Sequence, residues 1–559
     1  MQMSSTTTLP TVVPAVAAVI PAVASAVAGD GTIRVASGDL IAGPAELATV
    51  LLRFADDLAT DARIGLRLET EAGPHVDAAA TIVVGFADHD LDDVAPAAGL
   101  RADGADPADA DERYGIETAD GRVRVWARTT EGAHRALTTL RQQLVALSAD
   151  GAADLPAGRV VDGPLFAWRG LSLDVGRTFH DIETIERVID MCSLYKLNVL
   201  HLHLTEDAGW RFEVPGWPLL AEVGGAGALG GRPGGHYSPA DLAALGRYAA
   251  DRFVTLVPEV DLPGHTQAAF RSYPELAPAS APEAEAAASL GVAIGTLDLD
   301  RGPTRRFVQD ALAAAAEQFP ASAYLHIGGD EAFGMPDADH AAFVDFAVAT
   351  VRELGRRAIG WQEVARADVG PDEVVQYWVE PREMAAMMES EAFSSMIPAE
   401  VLPLLTETMR KSFDDIPAAT AKGARVLVSV GRHLYLDRPH PEPTGDDAQE
   451  ALRSRVGLPM VPPASLRDGV EWDPLEVTPG IDSLEALAGV EAAVWGETVT
   501  GRDDLEFLLL PRLAGVGERA WSAAPTEWDE YAGRLAHGPR VWDRRGWTWY
   551  RPGSIDWAD

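Results

Sequence analysis

The residues best placed to do chemistry are Asp330 and Glu331, adjacent carboxylates that close the stretch Tyr324-Leu325-His326-Ile327-Gly328-Gly329-Asp330-Glu331. The apolar run before them reads as a buried strand, and two glycines break it so that the acids are delivered at its carboxyl end. Adjacent acids there repel, and each loses hydration if it is partly buried. The arrangement persists most easily where one is protonated or both have dedicated partners, which is the setting of a general acid. An acidic helix start is the other reading, because an Asp-Glu pair commonly caps a helix and binds its free amides. Taken alone the pair favours the cap; the rest of the chain favours chemistry.

A scaffold that could hold such a pair is written after Pro156-Ala157-Gly158, where the texture becomes strand, loop, helix, repeated. Strands are predicted at 170–175, 198–204, 253–260, 323–327, 357–361, 374–378, 425–430 and 487–495. Helices are predicted at 183–197, 239–252, 304–319 and 338–356. Eight strands alternating with helices imply a (β/α)8 TIM barrel, whose active site lies at the carboxyl ends of the strands. Polar and aromatic residues collect at those ends: Asp174 and Arg177, then His201-Leu202-His203-Leu204-Thr205-Glu206-Asp207, then Pro258-Glu259-Val260-Asp261-Leu262-Pro263-Gly264-His265. They continue with Asp330-Glu331, Trp361-Gln362-Glu363, Trp378, Tyr435-Leu436-Asp437 and Trp495-Gly496-Glu497. Two stretches fit the repeat poorly, the Met-rich residues 384–421 and the Pro-rich 439–463, and both read as excursions on βα loops, the first as a lid.

Before the barrel, 32–160 reads as a smaller α+β domain, with strands near 82–85, 114–117 and 123–127 and helices near 45–58 and 132–147. Residues 1–31 form an Ala/Pro-rich segment and 161–559 the barrel domain. At 559 residues two domains are the natural expectation. A formal charge of −39 and a pI near 4.6 exclude nucleic acid as a partner and disfavour anionic membranes. The single Cys192 lies in an apolar pattern, cannot form an internal disulfide, and reads as core. Residues 1–30 carry no Lys or Arg and three prolines interrupt their apolar stretch, so a cytoplasmic protein is expected, although Ala-x-Ala patterns at 22–28 keep secretion as the alternative.

His201 and His203, two apart on a strand, face the same way and form a His-x-His pair. With His326 or Asp330 they would allow a metal-dependent hydrolase on the same barrel.

Four motifs, His-Ile-Gly-Gly-Asp-Glu (326–331), His-Leu-His-Leu-Thr-Glu-Asp (201–207), Pro-Glu-Val-Asp-Leu-Pro-Gly-His (258–265) and Trp168-Arg169-Gly170, give the chain a resemblance to the β-N-acetylhexosaminidases of glycoside hydrolase family 20. The likeness runs from about 32 to 552. It includes a companion-domain segment around Glu112-Arg113-Tyr114 and Glu131-Gly132, and a barrel end around Pro511-Arg512-Leu513 and Glu518-Arg519-Ala520-Trp521.

The resemblance implies an exo-acting, retaining enzyme that removes terminal N-acetylglucosamine or N-acetylgalactosamine from an oligosaccharide or glycoconjugate. It uses no cofactor and no metal, and the acetamido oxygen of the substrate is the nucleophile. By the same resemblance Glu331 is the general acid and then base, and Asp330 orients the acetamido nitrogen. His265 and Asp207 relay behind Glu331, and Arg169 forks onto sugar hydroxyls. Tyr435, Asp437 and Glu497 contact the acetamido group or outer hydroxyls, Trp361, Trp378 and Trp495 wall the acetamido pocket, and Trp472 stacks on the sugar. The chain departs from the family where Asp-Asp-Gln or Glu-Asp-Gln is usual and Glu206-Asp207-Ala208 stands here, so the loop lacks an amide. A catalytically silent amino-sugar-binding protein is the remaining alternative.

Overall fold

The structure is a computed structural model and describes residues 18–70, 79–87, 90–278, 295–330, 332–381, 383, 385 and 402–558. Its amino-terminal unit is an eight-stranded sheet: β1 (Ser25–Ala36), β2 (Leu40–Ala42), β3 (Arg67–Glu69), β4 (Ile82–Phe86), β5 (Tyr114–Ala119), β6 (Arg122–Ala127), β7 (Ser148–Ala149) and β8 (Ala152–Asp162). The strand order is β1-β8-β5-β6-β4-β2-β3, with β7 paired to β8. Helices α1 (Ala48–Ala62) and α2 (Thr130–Leu147) pack against each other and the sheet. Thr129 caps α2 by accepting the Gly132 N–H. The helix is buried from Glu131 to Val145 because its far side meets the barrel: Arg135 donates to the Phe253 carbonyl and Gln142 to that of Leu194.

The expected boundary at residue 31 is corrected by this sheet. Strand β1 begins at Ser25 and runs antiparallel to β8 from Ser25↔Val161, and Val19 and Ile20 are buried. Ala, Val and Gly in this stretch give no clear alternation, so only the partner strand reveals it as β.

The second unit is a closed barrel of eight parallel strands: β9 (Arg169–Asp174), β10 (Val199–His203), β11 (Thr255–Leu262), β12 (Tyr324–Gly328), β13 (Arg357–Trp361), β14 (Val374–Tyr377), β15 (Arg425–Val428) and β16 (Leu487–Val494). Each is buried along almost its whole length, as expected of a parallel sheet wrapped by helices. The helices of this unit include α3 (Ile182–Leu194), α4 (Pro239–Ala250), α5 (Gln267–Ser272), α6 (Thr304–Gln318), α7 (Asp337–Glu353), α8 (Leu402–Ala421), α9 (Arg502–Leu509) and α10 (Arg512–Trp521). Asp181 caps α3, and Ser238 with Asp241 forms a capping box on α4, followed by Pro239 at its first position.

One connection is unlike the others. Between β13 and β14, described throughout, the chain makes only a 3-10 turn, Gln362–Arg366, and no α-helix. Helix α8 packs against that turn. This corrects the expectation for 384–421: residues 402–421 are the crossover helix from β14 to β15 rather than an excursion, while 384 and 386–401 lie outside the described residues. Pro417 stands inside this helix. Residues 439–463 do lie on the long β15-to-β16 connection, which carries a short helix, Asp447–Arg453.

Buried ion pairs join the two units. Glu112 of the sheet domain receives Arg169 at the start of β9, and Asp162 receives Lys196 and the Trp521 indole. No helix among the described residues is long and apolar enough to cross a membrane.

Candidate active site

The carboxyl ends of the eight strands converge on one cluster of acids and aromatic rings. Gly328 and Gly329 end β12 with φ of +70° and +99°, left-handed values that favour glycine. A Cβ on Gly328 would lie 1.7 Å from Asp261 Oδ1, and one on Gly329 2.5 Å from Val364 Cγ1. The paired glycines therefore let the strand end pass against β11 and the turn that follows β13 and deliver Asp330 into the barrel mouth. His326 Nδ1 accepts the Gly328 N–H at 3.1 Å and helps to fix the turn. Glu331, the expected general acid, lies outside the described residues.

Around Asp330 the charges are interlocked. His265 Nε2 stands 3.8 Å from Asp330 Oδ2 and 3.9 Å from Asp261 Oδ2, and its Nδ1 bonds Glu206 Oε1 at 2.7 Å. Glu206 also receives Arg177 Nη2 at 2.6 Å, and Arg177 Nη1 donates to Asp174 Oδ2 at 3.0 Å. Arg177 Nε lies 3.6 Å from Glu497 Oε1, and the guanidinium sits 5.4 Å from the Trp495 ring centre. Burial alone would neutralise Glu206, but Arg177 and His265 outweigh it and hold that carboxylate well below its usual range. Burial likewise works against a charged His265, and Glu206 with Asp261 outweighs it and pushes its pKa well up.

Four other acids here are pushed the opposite way, chiefly by burial. Asp261 rises well above the carboxylate range, with Asp330 adding repulsion. Glu363 rises to about 8, with Asp330 and Asp415 adding to it, and Asp437 to about 7, with Glu497 as neighbour. Asp207 rises to about 6 through burial and Glu206. Ionised and neutral carboxyls a few ångströms apart are the condition for acid and base roles in one site.

The apolar side is a ring cluster. Trp378 and Tyr435 are parallel to within 1° with centres 6.5 Å apart. Trp361 lies 6.5 Å from Trp378 and 5.7 Å from Trp495, and Tyr435 meets Trp495 edge-on at 5.8 Å. The Trp378 and Tyr435 ring planes are therefore at most 6.5 Å apart, close to the spacing of about 7 Å at which a flat group would lie between two faces at van der Waals contact. Trp361 is buried and donates its indole N–H to Glu259 at 2.8 Å, while Trp378 donates to Glu363 at 3.1 Å.

Beneath the rings, His201 bonds Glu491 at 2.9 Å and lies 3.1 Å from Glu259, and His203 bonds Glu259 at 2.6 Å. This network pairs the His-x-His imidazoles with two carboxylates sealed inside the barrel, and two of its groups, His201 with Glu259 and His326 and His203 with Glu259 and Asp261, also stand close enough together to hold a metal ion. It also carries the Trp361 indole, so the site floor rests on it.

The site residues expected from the sequence divide accordingly. Asp330, His265, Asp207, Trp361, Trp378, Tyr435, Asp437, Trp495 and Glu497 all lie at the carboxyl ends of barrel strands or just beyond them. The bonded carboxylate behind His265 is Glu206. Asp207 stands within 4.8 Å of both and caps α5 through the Gln267 N–H. Arg271 replaces the amide missing from this loop, donating to the carbonyls of Asp207 and Ala208.

Two expectations are corrected. Arg169 opens β9 at the opposite, amino end of the barrel, fully buried and saturated by Glu112 and the carbonyls of Phe166 and Lys196. It fastens the domains and cannot reach a sugar; the arginine at the site is Arg177. Trp472 is 8% exposed in the core, stacked on His433 at 5.5 Å with its N–H bonded to Gly469. Sequence reasoning passed over Arg177, Glu206, Asp261 and Glu363 as site residues although the strand-end rule marks all four.

A barrel with acids of split ionisation beside a wall of aromatic rings defines a glycoside hydrolase of the (β/α)8 class. Comparison with known proteins narrows this. Residues 166–524 match the model "Glycosyl hydrolase family 20, catalytic domain" and residues 16–163 that family's domain 2. A β-N-acetylhexosaminidase of Cellulomonas fimi is 38% identical over 448 residues, 80% of this chain and 82% of that one. Among solved structures, the N-acetyl-β-hexosaminidase of Streptomyces plicatus is 31% identical with a TM-score of 0.77 over 98% of both chains. The family 20 β-N-acetylhexosaminidase of Streptomyces coelicolor A3(2) is 32% identical, with a TM-score of 0.77 over 97% of this chain and 99% of that one. The chain belongs to glycosyl hydrolase family 20 and is a hydrolase of the β-hexosaminidase kind.

Proposed function

We propose that the protein is an exo-acting, retaining β-N-acetylhexosaminidase that releases terminal N-acetylglucosamine or N-acetylgalactosamine from an oligosaccharide or glycoconjugate, with the substrate's own acetamido group as nucleophile. The observation that carries this reading is the parallel Trp378–Tyr435 pair, walled by Trp361 and Trp495, at the barrel end where Asp330 also lies. A planar acetamide fits such a slot with its methyl against indole, and closed aromatic walls keep water from the intermediate. A Streptomyces plicatus relative, 31% identical to this chain, is described in complex with its product GlcNAc, which supports the same substrate class.

In the proposed sequence the acetamido oxygen attacks the anomeric carbon as the glycosidic bond breaks, and Glu331 gives its proton to the departing oxygen. Asp330 accepts the acetamido N–H, which raises the oxygen's nucleophilicity and stabilises the positive charge of the oxazolinium. Water, deprotonated by Glu331, then opens the ring at the anomeric carbon from the vacated face. Two inversions give retention. His265, held by Glu206, stands with its Nε2 3.8 Å from Asp330 Oδ2 and so helps to place that carboxyl group.

The test pairs an aryl N-acetylglucosaminide with the aryl glucoside lacking the acetamide. Glu331→Gln is expected to remove most turnover and Asp330→Asn to cripple the first step. Equal cleavage of both glycosides, or near-normal rates in either variant, would rule the mechanism out.

A further inference from the structure

The Trp378 wall is held from behind by helix α8, through the turn that follows β13. Gln362 is fully buried in the 3-10 turn that stands in for a helix between β13 and β14. Its Oε1 accepts the backbone N–H of Trp378 at 3.3 Å and of Val379 at 2.9 Å, while its Nε2 points at Asp415 Oδ2, 3.4 Å away on α8. Asp415 is 2% exposed and takes a two-pronged bond from Arg366 at 2.8 and 2.7 Å. Lys422, just past the end of α8, donates to the Ala365 and Ala367 carbonyls at 2.8 and 2.6 Å. The buried stripe Ser412, Asp415, Ile416 and Ala419 gives α8 the face that carries these contacts. On the inner side Glu363 of the same turn receives the Trp378 indole N–H. Both the backbone and the ring of Trp378 are thus tied to one five-residue turn, and that turn is tied to α8. The Gln362 amide does both, accepting from one neighbour through its oxygen and donating to the other through its nitrogen.

We infer that Gln362 and Asp415 are positioning residues that set the width of the Trp378–Tyr435 slot, and so decide how large an N-acyl group the enzyme accepts on the sugar. The inference rests on the functional reading above. A pocket that fits an acetamide rejects each extra methylene by roughly 10–200-fold while its walls are rigid, and a butanamide carries two. Loosening the wall relaxes that discrimination, whereas a general loss of stability lowers activity on every substrate alike.

The experiment compares kcat/KM for aryl 2-acetamido and 2-butanamido glucosides in the wild type, Gln362→Met and Asp415→Asn. The expected result is a fall of tenfold or more in the acetamido-to-butanamido ratio in both variants. For the acetamido substrate KM should rise more than kcat falls. A ratio within twofold of wild type, in a variant that still unfolds cooperatively, overturns the role of α8. If Gln362→Met fails to fold, the near-isosteric Asp415→Asn decides by the same ratio. A wild type that does not turn over the acetamido glycoside defeats the functional reading instead, so the two failures are distinguishable.

Discussion

Replacing Gly328 with alanine tests whether the glycine turn fixes the position of Asp330. The residue sits at φ +70°, where an L side chain costs roughly 1–2 kcal/mol. The added Cβ would stand 1.7 Å from Asp261 Oδ1, 2.4 Å from its Cγ and 2.7 Å from its Cα. Ordinary contact needs about 3.5 Å, so Asp261 must retreat by close to 2 Å. A rotamer change does not relieve this, because the Asp261 backbone is among the crowded atoms and belongs to β11. Overpacking of that kind adds about 1–3 kcal/mol, for a total near 2–5 kcal/mol out of a stability of order 5–15 kcal/mol. The same displacement moves the Asp261–Asp330–His265 cluster by an ångström or more, which typically costs about a hundredfold in rate. Urea unfolding and kcat/KM on an aryl N-acetylglucosaminide measure both effects. Gly246→Ala on α4, where a Cβ meets nothing within 4 Å, is the control and should gain roughly 0.5–1 kcal/mol. A Gly328→Ala enzyme with the parent's unfolding midpoint and activity would refute the reasoning.

Further expectations concern the two arginines and the neutral glutamate. Arg177→Lys replaces a guanidinium that spans Asp174, Glu206 and Glu497 with a point charge, and should lower kcat/KM by about 10²–10³-fold with little change in unfolding. Arg169→Met should instead cost about 3–5 kcal/mol of stability, by leaving Glu112 buried with a partner removed, and leave KM unchanged; the reverse outcome would restore Arg169 to the site. Glu363, held near pKa 8 in the fold against 4.5 when unfolded, binds more protons folded than unfolded across that window. Its contribution to stability is therefore complete below pH 4.5 and lost as pH rises through about 8. Unfolding free energies measured between pH 5 and pH 9 should decline less steeply in Glu363→Gln than in the wild type, and identical slopes would contradict a neutral Glu363.

The barrel was legible because its information is local. Apolar runs such as Val199–His203 and Leu487–Val494 are buried on both faces, so each announces itself without its neighbours, and polar residues just past them mark the functional end. The same locality exposed Gly328-Gly329-Asp330 and the tryptophans at strand ends. Tertiary structure alone decided the rest. Strand β1 exists because β8 lies beside it, and α8, continuous through Pro417, packs on the turn that takes the place of a helix between β13 and β14. Arg169 and Arg177 differ by only eight positions, yet they stand at opposite ends of one strand, the first spent on joining domains and the second facing the site. A sequence records which side chains are charged. Which charges become partners, and which carboxyls stay protonated, depends on distances across the barrel and on the water removed when it closes.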